Sequence, residues 1–180
     1  MKKLFILGLI LLACGGTKKE STTQKLPLLH INVKNYGEIV IKLYLDEAPR
    51  NVKNIIDLTN KGFYNGLKFH RIIKGFVIQG GCPKGDGTGD PGYEIPDEIS
   101  PKLKHLKGTV AMANRGPNTN GSQFYICLEP QPRLDGRYTI IGEVVKGMDV
   151  VERIGDVPTS GPPMDRPLKE IIMEKVWIEE

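Results

Sequence analysis

The side chains equipped for chemistry are not those of a hydrolase or a metalloenzyme. His30, His70 and His105 have no metal-ligand spacing, and no Ser-His-Asp or Cys-His set has the flanking signals such a site needs. His70 precedes Arg71 on a strand, so it points the other way and reads as a satisfied core histidine. Gly85-Asp86-Gly87-Thr88-Gly89 lacks both the Lys-Ser/Thr pair of a P-loop and the ligand series of an EF-hand; it reads as a turn-rich loop. What remains is Arg71, in the β-rich run Phe69-His70-Arg71-Ile72-Ile73, with Phe76, Val77 and Gln79 just after it. A guanidinium offers five N–H donors in a rigid fork and keeps its charge at any working pH. Set beside an apolar slot, it can stabilise a bound neutral group that gains a lone pair or a dipole on reacting, with no nucleophile and no proton transfer.

Four patches occur in order: Phe69 to Ile73 with Gly75 to Gly81, Met112-Ala113-Asn114-Arg115-Gly116-Pro117-Asn118-Thr119-Asn120-Gly121, Ser122 to Ile126, and Leu134-Asp135-Gly136-Arg137-Tyr138. In this order and spacing the sequence resembles the cyclophilin family of peptidyl-prolyl isomerases over about residues 28 to 178. The resemblance implies a closed eight-stranded antiparallel β-barrel capped by two helices, and rotation about X-Pro bonds as the activity.

The chemistry suits Arg71. An X-Pro amide rotates over a barrier of roughly 18–20 kcal/mol because its C–N bond is partly double. Uncatalysed exchange takes tens to hundreds of seconds. Reaching milliseconds needs about 7 kcal/mol of transition-state stabilisation. In the twisted amide the prolyl nitrogen regains its lone pair, and a fixed cation with N–H donors binds that state better than the planar one. The resemblance places Arg71 as the catalytic residue and Phe76, Val77, Tyr125 and Leu134 around the proline. It implies that Gln79 bonds the substrate backbone and supports Arg71, that the backbone at Ala113 and Asn114 holds an extended peptide, and that Gln123 and Tyr138 face the substrate. The chain departs from the family pattern in places. Tyr125 stands where Phe is usual and adds a hydroxyl that needs a partner if buried. Val77 replaces a larger Met; Arg133 stands where many eukaryotic members have Trp, and Tyr138 where they have His. The Trp position contacts cyclosporin in the family, so reduced sensitivity to that drug is expected. Asn118-Thr119-Asn120-Gly121 reads as a structural loop.

The elements that must position these residues are legible from pattern. Leu28 to Val33 and Glu38 to Leu45 read as strands around a Lys34 to Gly37 turn. Asp46-Glu47-Ala48-Pro49 opens a helix with a stripe at Val52, Ile55, Ile56 and Leu58, which Lys61-Gly62 closes. Leu67 to Ile73, Gly75 to Gln79, Gly108 to Ala113, Gln123 to Leu128, Thr139 to Val145 and Leu168 to Ile178 supply six more strands, and Lys146 to Ile154 a second short helix. On this reading Phe69, Arg71 and Ile73 share one face. Two helices cannot cover both faces of an open parallel sheet, so a closed antiparallel barrel is expected.

Residues 1–27 read as an address and a tether. Met1-Lys2-Lys3 precedes ten apolar residues, Leu4 to Ala13, a length that suits a signal-peptide core and is too short to span a bilayer. Leu11-Leu12-Ala13-Cys14 resembles the bacterial lipobox, which implies cleavage after residue 13 and lipidation of Cys14, with residues 14–27 a flexible tether and 28–180 the isomerase domain. Two or more acyl chains hold a protein at a membrane stably. The expected location is the bacterial cell envelope, on an extracytoplasmic or periplasmic face. The formal charge of +4 lies wholly in residues 1–27, where five lysines face one acid, Glu20; the remainder holds 20 basic and 20 acidic residues, which argues against nucleic acid as a partner. The expected partners are proline-containing or unfolded segments, with no cofactor or metal, and the expected state is a monomer. Cys127 reads as a buried thiol, and no Cys82–Cys127 bridge is expected. The competing reading is a proline-binding chaperone or adaptor with little turnover.

Overall fold

The computed structural model describes residues 26–179, so the expected leader and Cys14 lie outside the described residues. Eight strands and two helices follow one another: β1 (Leu28–Val33), β2 (Gly37–Leu43), α1 (Pro49–Asn60), β3 (Phe69–Ile73), β4 (Val77–Gly80), β5 (Thr109–Met112), β6 (Phe124–Cys127), β7 (Ile140–Lys146), α2 (Met148–Gly155) and β8 (Met173–Glu179). The β1–β2 turn works because Asn35 takes the left-handed conformation, at φ 68°, which Asn tolerates better than most residues. Helix α1 starts at Pro49, whose missing N–H would lack an intrahelical partner anyway. The acidic residues expected in its first turn lie before it. Glu98, distant in sequence, caps the helix instead, accepting from Arg50 N at 3.2 Å and Asn51 N at 2.9 Å. Gly62, at φ 71°, ends it with a bond from its N–H to Thr59 O.

All ladders are antiparallel, in the order β3-β4-β6-β5-β7-β2-β1-β8. The sheet is an open half-barrel, which corrects the closed barrel expected from the sequence. Edge strands β3 and β8 have no ladder between them; the chain just ahead of each meets in a single bridge, Lys68 with Ile172. The last strand begins at Met173 rather than Leu168, because the chain ahead of it is engaged elsewhere: Pro167 bridges to Thr159, and Leu168 N donates to Pro158 O. That segment covers the edge of β3 with single bonds, Ile72 N to Asp165 O and Phe69 N to Ile171 O, both at 2.9 Å.

Alternation along the strands sends side chains to two apolar clusters. Ile31, Ile41, Phe69, Ile72, Ile78, Val110, Met112, Phe124 and Ile126 fill the concave side with Val52, Ile55 and Leu58 of α1 and Val150, Val151 and Ile154 of α2. Val77, Ala111, Tyr125, Cys127 and Ile140 point to the opposite face, where Tyr44, Phe76, Leu103, Ala113, Leu134 and Tyr138 cover them. Central strands buried on both faces explain why Thr109–Met112 and Phe124–Cys127 read as continuous rather than alternating apolar runs. The candidate site sits over this second, smaller cluster.

Candidate active site

Strand register lays the site out as a row. Arg71 pairs with Gln79, Gln79 with Tyr125, and Tyr125 with Ala111, so these four occupy neighbouring strands on one face, each about 4.8 Å from the next. Arg71 reaches that face through a β-bulge. Phe69 pairs with Gly80 and Arg71 with Gln79, so two steps along β3 match one along β4 and His70 is the extra residue. The bulge corrects the expectation that Phe69 shares the face of Arg71: Phe69 turns into the main core, fully buried, while Arg71 turns outward.

Nine side chains line one hollow of about 140 Å³: Arg71, Phe76, Val77, Gln79, Ala113, Asn114, Tyr125, Leu134 and Tyr138. Cavities of roughly 150 Å³ in other protein interiors take one small ring. Gln123, the remaining site residue expected from the sequence, lines an adjoining smaller hollow that shares Gln79, Ala113 and Asn114. The amide orientations follow from the network. Gln123 Nε2 donates to Gly87 O at 2.9 Å and Gly89 O at 2.8 Å, so its Oε1 is left to accept from Gln79 Nε2 at 3.0 Å. Gln79 Oε1 is thereby turned to Arg71 Nη1, at 3.4 Å. On the other side Arg71 Nε lies 3.8 Å from Asp165 Oδ2, a nearly buried carboxylate in the segment that covers β3. Arg71 Nη2 has no partner among the described residues. Its side chain is 35% exposed, so the charge is partly desolvated yet open to the hollow. The Ala113 N–H is spent on Gln123 O at 2.9 Å, whereas the backbone of Asn114 makes no hydrogen bond among the described residues.

The hydroxyl that Tyr125 adds finds a buried partner. Tyr125 Oη lies 3.0 Å from His105 Nε2, and His105 Nδ1 lies 2.9 Å from Asp135 Oδ1, which also accepts from His105 N at 2.8 Å. A carboxylate can only accept, so Nδ1 carries the proton, Nε2 accepts, and Tyr125 donates. Burial holds His105 below the usual histidine range against the opposing pull of Asp135, and drives the Tyr125 hydroxyl far above the usual tyrosine value, so both stay neutral. The chain Tyr125–His105–Asp135 thus ties the floor of the hollow to the Leu134-Asp135 loop on its rim. Sequence reasoning missed His105; the signal was Tyr125 itself, a buried hydroxyl in need of an acceptor. It also missed Asp165, and the Arg133 guanidinium lying over the Phe76 ring, 4.5 Å from its centroid.

His70 lines neither hollow but lies beside Gly87 of the loop that holds Gln123, and it is not the satisfied core histidine expected from the sequence. It is buried, and neither ring nitrogen has a hydrogen-bond partner among the described residues. Burial pushes it down to about 4. Cys82 and Cys127 are both buried free thiols. Cys82 Sγ accepts from Gly87 N at 3.3 Å and Gly89 N at 3.2 Å, organising the same loop whose carbonyls hold Gln123. Burial pushes the Cys127 thiol up to about 12. Among the described residues there is no group of His, Cys, Asp and Glu that could hold a metal, and no helix long and apolar enough to cross a membrane.

A half-barrel with two helices, carrying an arginine and a glutamine beside an aromatic-walled hollow on its outer face, is the architecture of a cyclophilin-type isomerase. The model of the family described as cyclophilin type peptidyl-prolyl cis-trans isomerase/CLD matches residues 28–178. Peptidyl-prolyl cis-trans isomerase-like 1 of Homo sapiens is 47% identical over 145 residues, covering 78% of this chain and 86% of the relative. Its Neurospora crassa counterpart is 50% identical over 146 residues, covering 79% and 88%. A crystal structure of a Cryptosporidium parvum cyclophilin type peptidyl-prolyl cis-trans isomerase superposes with a TM-score of 0.81 at 36% identity, covering 86% of this chain and 98% of that one. The same isomerase has been crystallised in the presence of the dipeptide Ala-Pro, with a TM-score of 0.80 to this chain. The chain belongs to the cyclophilin family, and its activity is peptidyl-prolyl cis-trans isomerisation.

Proposed function

We propose that the protein rotates X-Pro bonds by seating the proline ring in the hollow of Phe76, Val77, Tyr125 and Leu134 and stabilising the twisted amide with Arg71. One observation carries this reading: Arg71, clasped between Gln79 and Asp165, lines the same ring-sized hollow as those apolar side chains and keeps Nη2 unspent. The ring is gripped by apolar contact. Asn114, Gln79 and Gln123 offer polar groups along its edge, with Gln79 also turning the guanidinium inward. As the amide twists, the prolyl nitrogen becomes pyramidal and regains its lone pair, and a guanidinium N–H meets it. The interaction is absent from both planar ground states, so it lowers the barrier rather than merely tightening binding. The Ala-Pro dipeptide used with the Cryptosporidium parvum isomerase supports a proline-containing ligand here. The test is a proline-peptide isomerisation assay: Arg71→Ala is expected to lower kcat/KM by roughly 10²–10³, as loss of one preorganised transition-state donor does elsewhere. An Arg71→Ala protein as active as the native one overturns the mechanism.

We further propose that the isomerase acts on exported proteins from a lipid anchor on Cys14, in a bacterial envelope. Support comes from the sequence alone, Leu11-Leu12-Ala13-Cys14 after a ten-residue apolar core; the relatives named above are eukaryotic. Mass spectrometry of the mature protein tests it. A diacylglyceryl-modified Cys14 at the N-terminus is the expected result, and an unmodified or uncleaved leader refutes it.

A further inference from the structure

The proline hollow does not end at Tyr138. Beyond that ring a second, open hollow of about 390 Å³ shares Asn114 and Tyr138 with the first and is walled by Ile99 and Pro117. Two charged side chains line it, Asp97 and Arg137. The Asp97 carboxylate is already used: Oδ1 accepts from Asn120 Nδ2 at 3.0 Å and Asn114 Nδ2 at 3.4 Å, and Oδ2 from Asn118 N at 2.8 Å. Arg137 is the reverse case. Its guanidinium is exposed and makes no hydrogen bond or ion pair with any described residue; only its backbone N–H is engaged, by Leu134 O. Elsewhere along the groove Arg115 is held by Asp90 at 3.4 Å and Glu94 at 3.0 Å, Arg71 has Asp165 beside it, and Arg133 lies on Phe76. The second hollow therefore presents an unpaired cation beside two apolar walls, while the Asp97 carboxylate in the same lining is turned to Asn114, Asn118 and Asn120.

We propose that this hollow is a subsite for an acidic side chain of the substrate, two residues from the proline. The inference rests on the reading that the proline ring occupies the first hollow. In an extended peptide successive side chains alternate, so the one two residues away leaves on the same side as the ring, roughly 7 Å along the chain. A Glu or Asp there lays its methylenes on Ile99 and Pro117 and sets its carboxylate against Arg137. Asp97 makes no ion pair with Arg137, its oxygens being turned to Asn114, Asn118 and Asn120, and the unpaired guanidinium disfavours Lys or Arg in the same place.

The experiment compares kcat/KM for peptides alike except for Glu or Gln two residues before the proline, and again two residues after it. At low salt Glu is expected to be favoured by about two- to fivefold at one of these positions, the range of an exposed ion pair. The preference is expected to vanish near 1 M salt, where the screening length is about 3 Å. Arg137→Gln should bring the Glu/Gln ratio to about one, and Arg137→Glu should invert it. A ratio of one at both positions in the native protein, or a preference that Arg137→Gln leaves intact, overturns the subsite. The underlying reading is checked separately with the Gln peptides: if Phe76→Ala turns them over at the native rate, the proline does not sit in the first hollow, and the subsite argument falls with it.

Discussion

Replacing Tyr125 by Phe removes one oxygen and leaves every ring contact of the pocket floor in place. The cost is predicted from what that oxygen holds. The His105 side chain is fully buried, its Nδ1 is committed to Asp135, and Tyr125 is 5% exposed. Without the hydroxyl, Nε2 faces an apolar wall with no donor. A buried acceptor left unpaired costs about 1–3 kcal/mol. For a domain of this size each kcal/mol lowers the melting temperature by roughly 2–4 °C, so a central value of about 2 kcal/mol means a fall of about 4–8 °C. Urea unfolding of the single variants and of a cycle with His105→Leu separates the pair from its surroundings. In the His105→Leu background the Tyr125 donor is itself unpaired, so Tyr125→Phe should be neutral or stabilising there, giving a coupling of about 1–3 kcal/mol. Equal effects of Tyr125→Phe in both backgrounds, or no loss of stability in the native background, would refute the argument.

Acid should destabilise the domain through His70. Its folded-state pKa of about 4 lies below the ordinary 6.5, so the unfolded chain binds the proton first. Stability is then complete above about pH 6.5, falls as pH drops towards 4, and levels off below, by at most about 3 kcal/mol; urea midpoints across that window should show it, and His70→Gln should flatten the curve. Catalysis should behave differently: kcat/KM should be nearly flat from about pH 6 to 9, because a guanidinium does not titrate there and no proton is transferred. A bell-shaped profile would contradict the mechanism.

The pocket was readable because its members lie close in sequence: Arg71, Phe76, Val77 and Gln79 fall within nine residues, and Gln123 and Tyr125 within three, with alternation putting Val77 with Gln79 and Gln123 with Tyr125 on one surface. Both strands beside Arg71, and both helices, were also visible in the periodicity. Features that depend on segments far apart were not. The bulge at His70 reverses the direction of Phe69 and follows from pairing β3 against Gly80, which no local pattern announces. The cap on α1 comes from Glu98, forty-seven residues away from Asn51 in sequence. The open edge of the sheet arises because the chain ahead of β8 runs irregularly past β3, meeting it only in single bonds accepted by Asp165 O and Ile171 O. His105 and Asp165 acquire their places beside Tyr125 and Arg71 only once the chain has closed around them.

Rotation on the enzyme depends on the fork of Arg71 rather than on its charge alone. Line-shape or exchange NMR on a saturating proline peptide measures rotation on the enzyme independently of affinity. In Arg71→Lys, where the charge survives and the planar donors do not, the account predicts that the peptide still binds but cis-trans exchange slows at least about tenfold, with Arg71→Ala slower still. Exchange in either variant as fast as in the native protein would contradict it.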